Sequence, residues 1–400
     1  MTEAVIVATG RTPIGRANKG SLIDCRPDDL SALIIGAVLD KVPELDRSLV
    51  EDVIWGCGQP AGEAGANIAR VAGIIAGLDA PGVTVNRYCS SSLQTIRMAT
   101  HAIKSGEGDV FVAGGVETVS RYGNGAADTG PPNEKFNEAR ARTKLRSAGG
   151  QPPWTPPTGL PDLYIAMGQT AENVREVENV SREEMDEFAL RSQERAVAAQ
   201  GNGFFEREIT PVTTPKGDVV TKDDGPRAGT TLEKLATLQP VFRPDGEVTA
   251  GNACPLNDGA AAVIVMSETK AKELGITPLA RIVASGVSAL NPEIMGLGPI
   301  EASRQALKRA NLTIDDIDLA EINEAFAAQA IPSAKHLGIP WEKLNVHGGA
   351  IALGHPFGMT GARIMTTLIN GLETEGKRYG LETMCVGGGQ GMAMVIERLN

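Results

Sequence analysis

The sequence predicts an α/β fold built from a duplicated unit, with a mostly parallel sheet in each half. Two internal echoes carry that expectation, and a change of composition between them supports it. In the first echo, Leu30 to Cys57 reads as an Ala/Leu-rich helix, an acidic link at Glu44 and Asp46, then the strand Val53-Ile54-Trp55-Gly56. Ile300 to Phe326 repeats that order with the helix EASRQALKRA, the link Thr313 to Asp316 and the strand Asp318 to Ile322. In the second, Asn86 to Glu117 runs turn, helix, then the strand Val110-Phe111-Val112-Ala113. Asn345 to Ile396 runs turn, helix from Gly361 to Leu372, then strands around Thr383 to Val386 and Ala393 to Ile396.

In chain order, Ala4-Val5-Ile6-Val7-Ala8 enters a strand at once, with no basic or long apolar segment ahead of it. Residues 122–248 shift in character, with Pro131-Pro132, Pro152-Pro153, Pro156-Pro157, Pro161 and a charged run from Glu134 to Arg146. An amphipathic helix follows from Ser181 to Gln200, so the region reads as an inserted loop-rich domain rather than a bare linker. The strand Ala260 to Met266 then rejoins the first half. Since 400 residues exceed one ordinary core, the expected organisation is 1–121 plus 249–271, an insertion at 122–248, and 272–400.

Composition excludes several function classes. A net charge of −11 opposes a nucleic-acid or anionic-membrane surface, yet leaves room for a local cationic patch and a small anionic ligand. No apolar run reaches membrane-spanning length. The five cysteines, at 25, 57, 89, 254 and 385, are odd in number and contain no CxxC, which favours reduced thiols in the cytoplasm. The four histidines lack HExxH or zinc-type spacing, so no metal site is expected.

Four segments carry chemistry. In NRYCSSSLQTIRMATHAI, Leu93, Ile96, Ala99 and Ile103 recur at helical spacing, and Ser90 to Ser92 are natural N-cap residues. Cys89 therefore stands where free N–H groups and the helix dipole converge, a setting expected to favour the thiolate. Glu321-Ile322-Asn323-Glu324-Ala325-Phe326 lies at a strand end, where α/β folds place reactive groups. In Asn345 to Arg363, Pro356 holds His355 in an extended or turn conformation ahead of a helix. Met384-Cys385-Val386 runs into Gly387-Gly388-Gly389-Gln390-Gly391, whose glycines admit a substrate close to backbone N–H groups. Taken singly, a lone histidine, a GGGQG turn or Asn323 reads as ordinary structure. Their matching placement in duplicated halves makes them a set.

These motifs, with GGAIALGHPFGMTGAR, CVGGGQGMAMV, EINEAF and VTAGNA..LNDGAAA, resemble the thiolases along essentially the whole chain. The resemblance implies two βαβαβαββ halves in a five-layer αβαβα arrangement, a loop domain over a coenzyme A site, and a homodimer or a dimer of dimers. It implies no permanently bound cofactor, with coenzyme A and acyl-CoA as substrates. By the same resemblance Cys89 is the nucleophile, His355 its base, and Cys385 the second acid/base at the α-carbon of acetyl-CoA. Asn323 would hold a water that joins His355 in stabilising the enolate. The N–H groups of Cys89 and Gly387 would form a second oxyanion hole.

For coenzyme A the resemblance implies Arg227 near the adenine and phosphates. Met167, Phe242, Ala250, Ala253, Met295, Ala325 and Phe326 would line a pantetheine trough, although Met and Phe alone read better as core. Two departures stand out. Cys254-Pro255 replaces the Ser-Gly that often follows VTAGNA, and Ala166 precedes Met167-Gly168 where acetoacetyl-CoA-specific members commonly carry His. With the proline-rich stretch 151–161, these point to a degradative 3-ketoacyl-CoA enzyme, including steroid side-chain types. Alternatives are an acetoacetyl-CoA-specific acetyltransferase, a ketosynthase-like condensing enzyme, and a non-catalytic acyl-CoA or sterol binder. A cysteine peptidase is remote, since no peptidase signature surrounds Cys89.

Overall fold

The computed structural model describes residues 2–122 and 130–400. Met1 and residues 123–129, the latter within the stretch read as an insertion, lie outside the described residues. The first half runs β1 (Ala4–Arg11), a short β2 (Gly15–Arg16), α1 (Pro27–Asp40), β3 (Asp52–Gly56), α2 (Ile68–Ile75), β4 (Gly82–Val85), α3 (Ser91–Ser105) and β5 (Val110–Thr118). The inserted stretch holds α4 (Asn137–Ser147), α5 (Met167–Glu178), α6 (Arg182–Gly201), the ribbon β6 (Val212–Thr213) and β7 (Val219–Val220), and α7 (Leu232–Ala236). The helix expected from Ser181 is α6, opened by a capping box between Ser181 and Glu184. Then β8 (Asn257–Ser267) slots between β1 and β5, completing the first half, and α8 (Glu268–Glu273) leads out.

The second half repeats the plan with β9 (Ala280–Ala289), α9 (Gly298–Ala310), β10 (Leu319–Ile322), α10 (Ala327–Leu337), α11 (Ala350–Leu353), α12 (Thr360–Thr374), β11 (Tyr379–Val386) and β12 (Gln390–Arg398). Strand order makes the duplication explicit. Outward from the centre, the first half reads β1-β8-β5-β3-β4 and the second β9-β12-β11-β10. A parallel bridge from Ala320 to Leu344 stands where β4 does. The halves join through β1 and β9, where Val5 faces Arg281 and Ile6 faces Ala280.

The expectation of a mostly parallel sheet is corrected. Parallel ladders join β10–β11, β3–β4 and β3–β5, and every other ladder is antiparallel. The reason is connectivity. Each half closes with a strand that runs antiparallel to its neighbour: β12 returns from β11 through the turn 387–389, and β8 returns to β5 after the insertion.

Strand periodicity sets the layers. Along β1, Ala4 and Ile6 join one apolar cluster while Val5 and Val7 join another. Along β12, Met392, Met394 and Ile396 face the first cluster, while Ala393 and Val395 face a third. That shared first cluster contains Leu93, Ile96, Ala99 and Ile103 of α3 together with Ile364, Met365, Leu368 and Ile369 of α12. The second packs α1 and α2 on the outer face of the first half, and the third packs α9 and α10 on the second. The two halves of this continuous sheet thus enclose α3 and α12, with a helical layer outside each.

A buried ion cluster ties the insertion to both halves. Arg11, at the end of β1 with no exposed surface, pairs with Asp223 at 2.8 and 2.9 Å and with Glu208 at 2.7 Å. Glu208 also accepts from Thr367 and Asn370 of α12. Removing the cation strands two buried carboxylates. Arg11→Met is therefore expected to lower unfolding free energy by about 3 to 5 kcal/mol, read as a shift of the urea unfolding curve.

Candidate active site

Cys89 stands in a 3-10 turn, Tyr88–Ser90, immediately ahead of α3. Tyr88 has φ +44°, a left-handed conformation that costs a bulky residue energy and has to be held in place. Asn86 Oδ1 accepts from the Tyr88 N–H at 2.8 Å, and Ser91 Oγ donates to the Tyr88 carbonyl at 2.7 Å. The serines do not cap α3 as expected, because each hydroxyl is engaged elsewhere. Ser90 Oγ donates to the Arg87 carbonyl, and Ser92 Oγ accepts from the Ala362 N–H at 2.9 Å. That last bond joins the first turns of α3 and α12, so the two central helices begin beside each other.

His355 lies in the loop that enters α12 from the other side. Its backbone N–H donates to Asn257 Oδ1 at the start of β8. Its ring Nδ1 lies 2.7 Å from Thr360 Oγ1, and that hydroxyl donates to the Pro356 carbonyl at 2.8 Å. With the threonine proton so committed, Nδ1 carries the imidazole hydrogen and Nε2 is left bare. Asn323, one residue past β10, places Nδ2 3.4 Å from that bare Nε2. Its Oδ1 is buried and has no partner among the described residues.

The glycine loop closes the site from β11. Gly388 and Gly389 both take φ +77°, which makes the tight turn from Cys385 to β12 a glycine requirement. Gln390 Nε2 donates to the Gly387 carbonyl, and Arg87 bridges Gln390 at 2.9 Å and Gln94 at 3.0 Å. The loop is thereby fastened to the Cys89 turn. The N–H groups of Gly387 and of Cys89 itself both act on the Cys89 sulfur.

Burial dominates the electrostatics. It pushes the Cys89 thiol up to about 11, against the opposing pull of the Gly387 and Cys89 N–H groups. The expected thiolate is corrected: dehydration outweighs the helix-start field. Burial, and secondarily Arg363, lowers His355 to about 3. Cys385, fully buried, is pushed well above the ordinary thiol range, first by burial and then by Cys89 and Cys254. Three thiols thus lie within electrostatic reach of one another. Both Cys89 and His355 are neutral in the free protein.

A cavity of about 390 Å³ is lined by Arg227, Phe242, Ala250, Ala253 and Cys254 from the expected set, together with Arg16. The Arg227 guanidinium is pushed down by burial first and by the neighbouring Arg16 charge second. Neither arginine has an acidic partner within ion-pair distance among the described residues. Met167 packs partly buried beside this region, near Phe242. Met295, Ala325 and Phe326 do not line the cavity. They are buried in the apolar cluster behind it, Phe326 meeting the Phe242 ring edge-on at 5.9 Å. The proline-rich stretch borders a different pocket with Arg142, Arg146 and Trp154, and Leu163 beyond it is the residue that reaches the glycine loop.

Sequence reasoning missed Arg16, Thr360 and Glu117. Arg16 carried no motif, and its neighbour Arg227 is distant in the chain. Thr360 follows His355 by five residues at the start of α12, a spacing that would have exposed it. Glu117 sits at the end of β5, the position class that singled out Asn323, and burial holds it up at about 7.

Among the described residues no group of three or more His, Cys, Asp or Glu is arranged to hold a metal, and no helix is long and apolar enough to cross a membrane. Fold and site define the class: an enzyme that moves acyl groups between thiols. The chain matches the family model "Thiolase, N-terminal domain" over residues 4–269 and "Thiolase, C-terminal domain" over residues 276–398. It is 44% identical to a beta-ketoadipyl-CoA thiolase of Acinetobacter baylyi, covering 100% of both chains. It is 43% identical to a 3-ketoacyl-CoA thiolase of Bacillus subtilis, covering 99% of this chain and 100% of that one. The crystal structure of Bacillus anthracis acetyl-CoA acetyltransferase superposes with a TM-score of 0.85 at 41% identity, over 100% of this chain and 99% of that chain. The chain therefore belongs to the thiolase family of acyl-CoA acyltransferases.

A neutral thiol and a neutral imidazole at two joined helix starts have a chemical signature. Alkylation of Cys89 by iodoacetamide in the free enzyme is expected to rise steadily from about pH 7 to about pH 10. A plateau reached near neutrality would reveal a preformed thiolate–imidazolium pair and contradict this geometry.

Proposed function

We propose that this thiolase cleaves 3-ketoacyl-CoA by thiolysis, and runs the reverse Claisen condensation, through an acyl thioester on Cys89. Nε2 of His355 takes the thiol proton as sulfur attacks the 3-keto carbonyl. The Cys89 and Gly387 N–H groups receive the resulting oxyanion. The α–β carbon bond then breaks, and the acetyl-CoA carbanion, its enolate oxygen held by His355 and a water on Asn323, takes a proton from Cys385. Free coenzyme A then gives its thiol proton to the Cys385 thiolate and attacks the thioester. Cys89 leaves as the C–S bond breaks, recovers its proton from His355, and acyl-CoA departs. The observation that carries this reading is the meeting of two helix starts, with a buried thiol ahead of α3 and an imidazole with bare Nε2 ahead of α12.

The trough with Arg16 and Arg227 fits coenzyme A, a polyanion that an otherwise acidic chain binds through a local cationic patch. In this reading residues 122–248 cover the coenzyme A site, while 1–121 with 249–271 carry the nucleophile and 272–400 carry His355 and Cys385. Acyl chains longer than acetoacetyl are favoured by the half-exposed Tyr88 and Leu163 flanking the glycine loop and by Ala166 at the start of α5, a small residue that leaves room. The relatives named as 3-ketoacyl-CoA and beta-ketoadipyl-CoA thiolases agree with that. A homodimer, or a dimer of dimers, in the cytoplasm completes the proposal. The free sheet edge at β4, with Val83, Ile74 and Ile75 exposed, supports the association.

Incubation with acetyl-CoA is expected to add one acetyl group to the peptide containing Cys89. Cys385→Ala is expected to acetylate still, while exchange of the acetyl-CoA α-protons with deuterated water falls by about 100-fold or more. Turnover with an unmodified Cys89 would overturn the mechanism. Wild-type exchange in Cys385→Ala would remove that residue from its role.

A further inference from the structure

Glu117 is a buried carboxylate beside the reactive groups that no step above uses. It is 1% exposed, and its two oxygens take five donors. Oε2 accepts from the N–H of Gly58 at 2.7 Å and of Gly358 at 2.8 Å. Oε1 accepts from the N–H of Gln59 at 3.2 Å, from the Cys57 thiol at 3.6 Å, and from the Tyr122 hydroxyl. Such a set suits an acceptor-only carboxylate and fixes its position.

One donor matters beyond packing. Gly358 belongs to the loop that carries His355 into α12, and Phe357 within that loop meets the His355 ring edge-on at 5.2 Å. The first half holds this loop at both ends, through Asn257 on the His355 N–H and through Glu117 on the Gly358 N–H. The contact is as close as backbones allow. A Cβ on Gly358 would stand 2.2 Å from the Val116 carbonyl oxygen and 2.9 Å from the Cys57 Cα. No side chain fits between the loop and β5, so the glycine lets the loop lie on the strand and the Glu117 carboxylate ties it there.

A purely electrostatic role has the wrong sign. A negative Glu117 disfavours the Cys89 thiolate, so its charge does not activate the nucleophile. Geometry remains. We infer that Glu117 is a positioning residue for acyl transfer: by holding Gly358, it fixes the His355 loop of the second half at a working distance from Cys89 of the first. The inference rests on His355 being the base.

The test measures thiolysis and single-turnover acetylation of Cys89 in Glu117→Gln and Tyr122→Phe, with folding followed by thermal melting. Glu117→Gln turns an amide NH2 toward either the two donors of Oε2 or the three of Oε1, which loosens the hold on the loop. Its kcat and acetylation rate are expected to fall by about 100-fold. KM for coenzyme A is expected to stay within about twofold, because no residue lining the coenzyme A cavity bonds Glu117. Tyr122→Phe, on a partly buried side chain, frees Oε1 of one donor and is expected to cost kcat roughly tenfold at unchanged KM.

Wild-type kcat in a folded Glu117→Gln overturns the inference, as does a loss taken entirely in KM. Should Glu117→Gln fail to fold, wild-type kcat in Tyr122→Phe overturns it. His355→Ala runs alongside. If that variant acetylates Cys89 normally, it is the base assignment that fails. If it is inactive while both other variants match wild type, only the role of Glu117 falls.

Discussion

The site depends on one short chain of hydrogen bonds, from His355 Nδ1 to the Thr360 hydroxyl and on to the Pro356 carbonyl. It spends the imidazole hydrogen at Nδ1 and leaves Nε2 bare. The surroundings then keep that nitrogen free, because burial holds His355 far below its ordinary range and Cys89 above its own. Both shifts point toward uncharged groups, so the pair waits as thiol and imidazole. In the proposed mechanism, proton transfer then accompanies attack rather than preceding it. The charge that develops on the tetrahedral intermediate of that mechanism meets the fixed N–H donors of Cys89 and Gly387.

Duplication explains why these groups meet. Each half ends its helical crossover at a central helix, α3 or α12, and both helices lie in the shared middle layer. Their first turns touch through Ser92 and Ala362, so whatever precedes each helix faces the other. Cys89 precedes one and His355 precedes the other. Asn323 and Cys385 then arrive from the ends of β10 and β11, the strands nearest α12 in the second half. The insertion is anchored by Arg11, Asp223 and Glu208, and it carries Arg227 and Phe242 to the cavity that Arg16 also lines.

Much of this was legible in the sequence because its signals are local. Apolar residues at helical spacing identified α3, and the residues ahead of it identified the turn with Cys89. Long motifs marked His355, Cys385 and Asn323, and the repeated helix–link–strand order disclosed two halves. What sequence could not supply was solvent and partner. Whether Cys89 is a thiolate depends on its exclusion from water, which no local pattern encodes. The serines at 90–92 read as caps until Arg87 and Ala362 claimed their hydroxyls. The sheet read as parallel because βα alternation is visible in a sequence, whereas the antiparallel return of β8 and β12 is set by pairing across the fold. Met295, Ala325 and Phe326 went to the core behind the trough, as apolar residues ordinarily do. Arg16 and Glu117 needed contacts with residues far along the chain.

The proposed chemistry turns on the protonation state of His355. With only four histidines in the chain, nitrogen-15 NMR of the uniformly labelled wild-type enzyme resolves their ring tautomers, and the His355 signals are assigned by their loss in His355→Asn. The predicted result is a neutral ring protonated at Nδ1 and bare at Nε2, unchanged between about pH 5 and about pH 8. An imidazolium at neutral pH, or a ring protonated at Nε2, would contradict it.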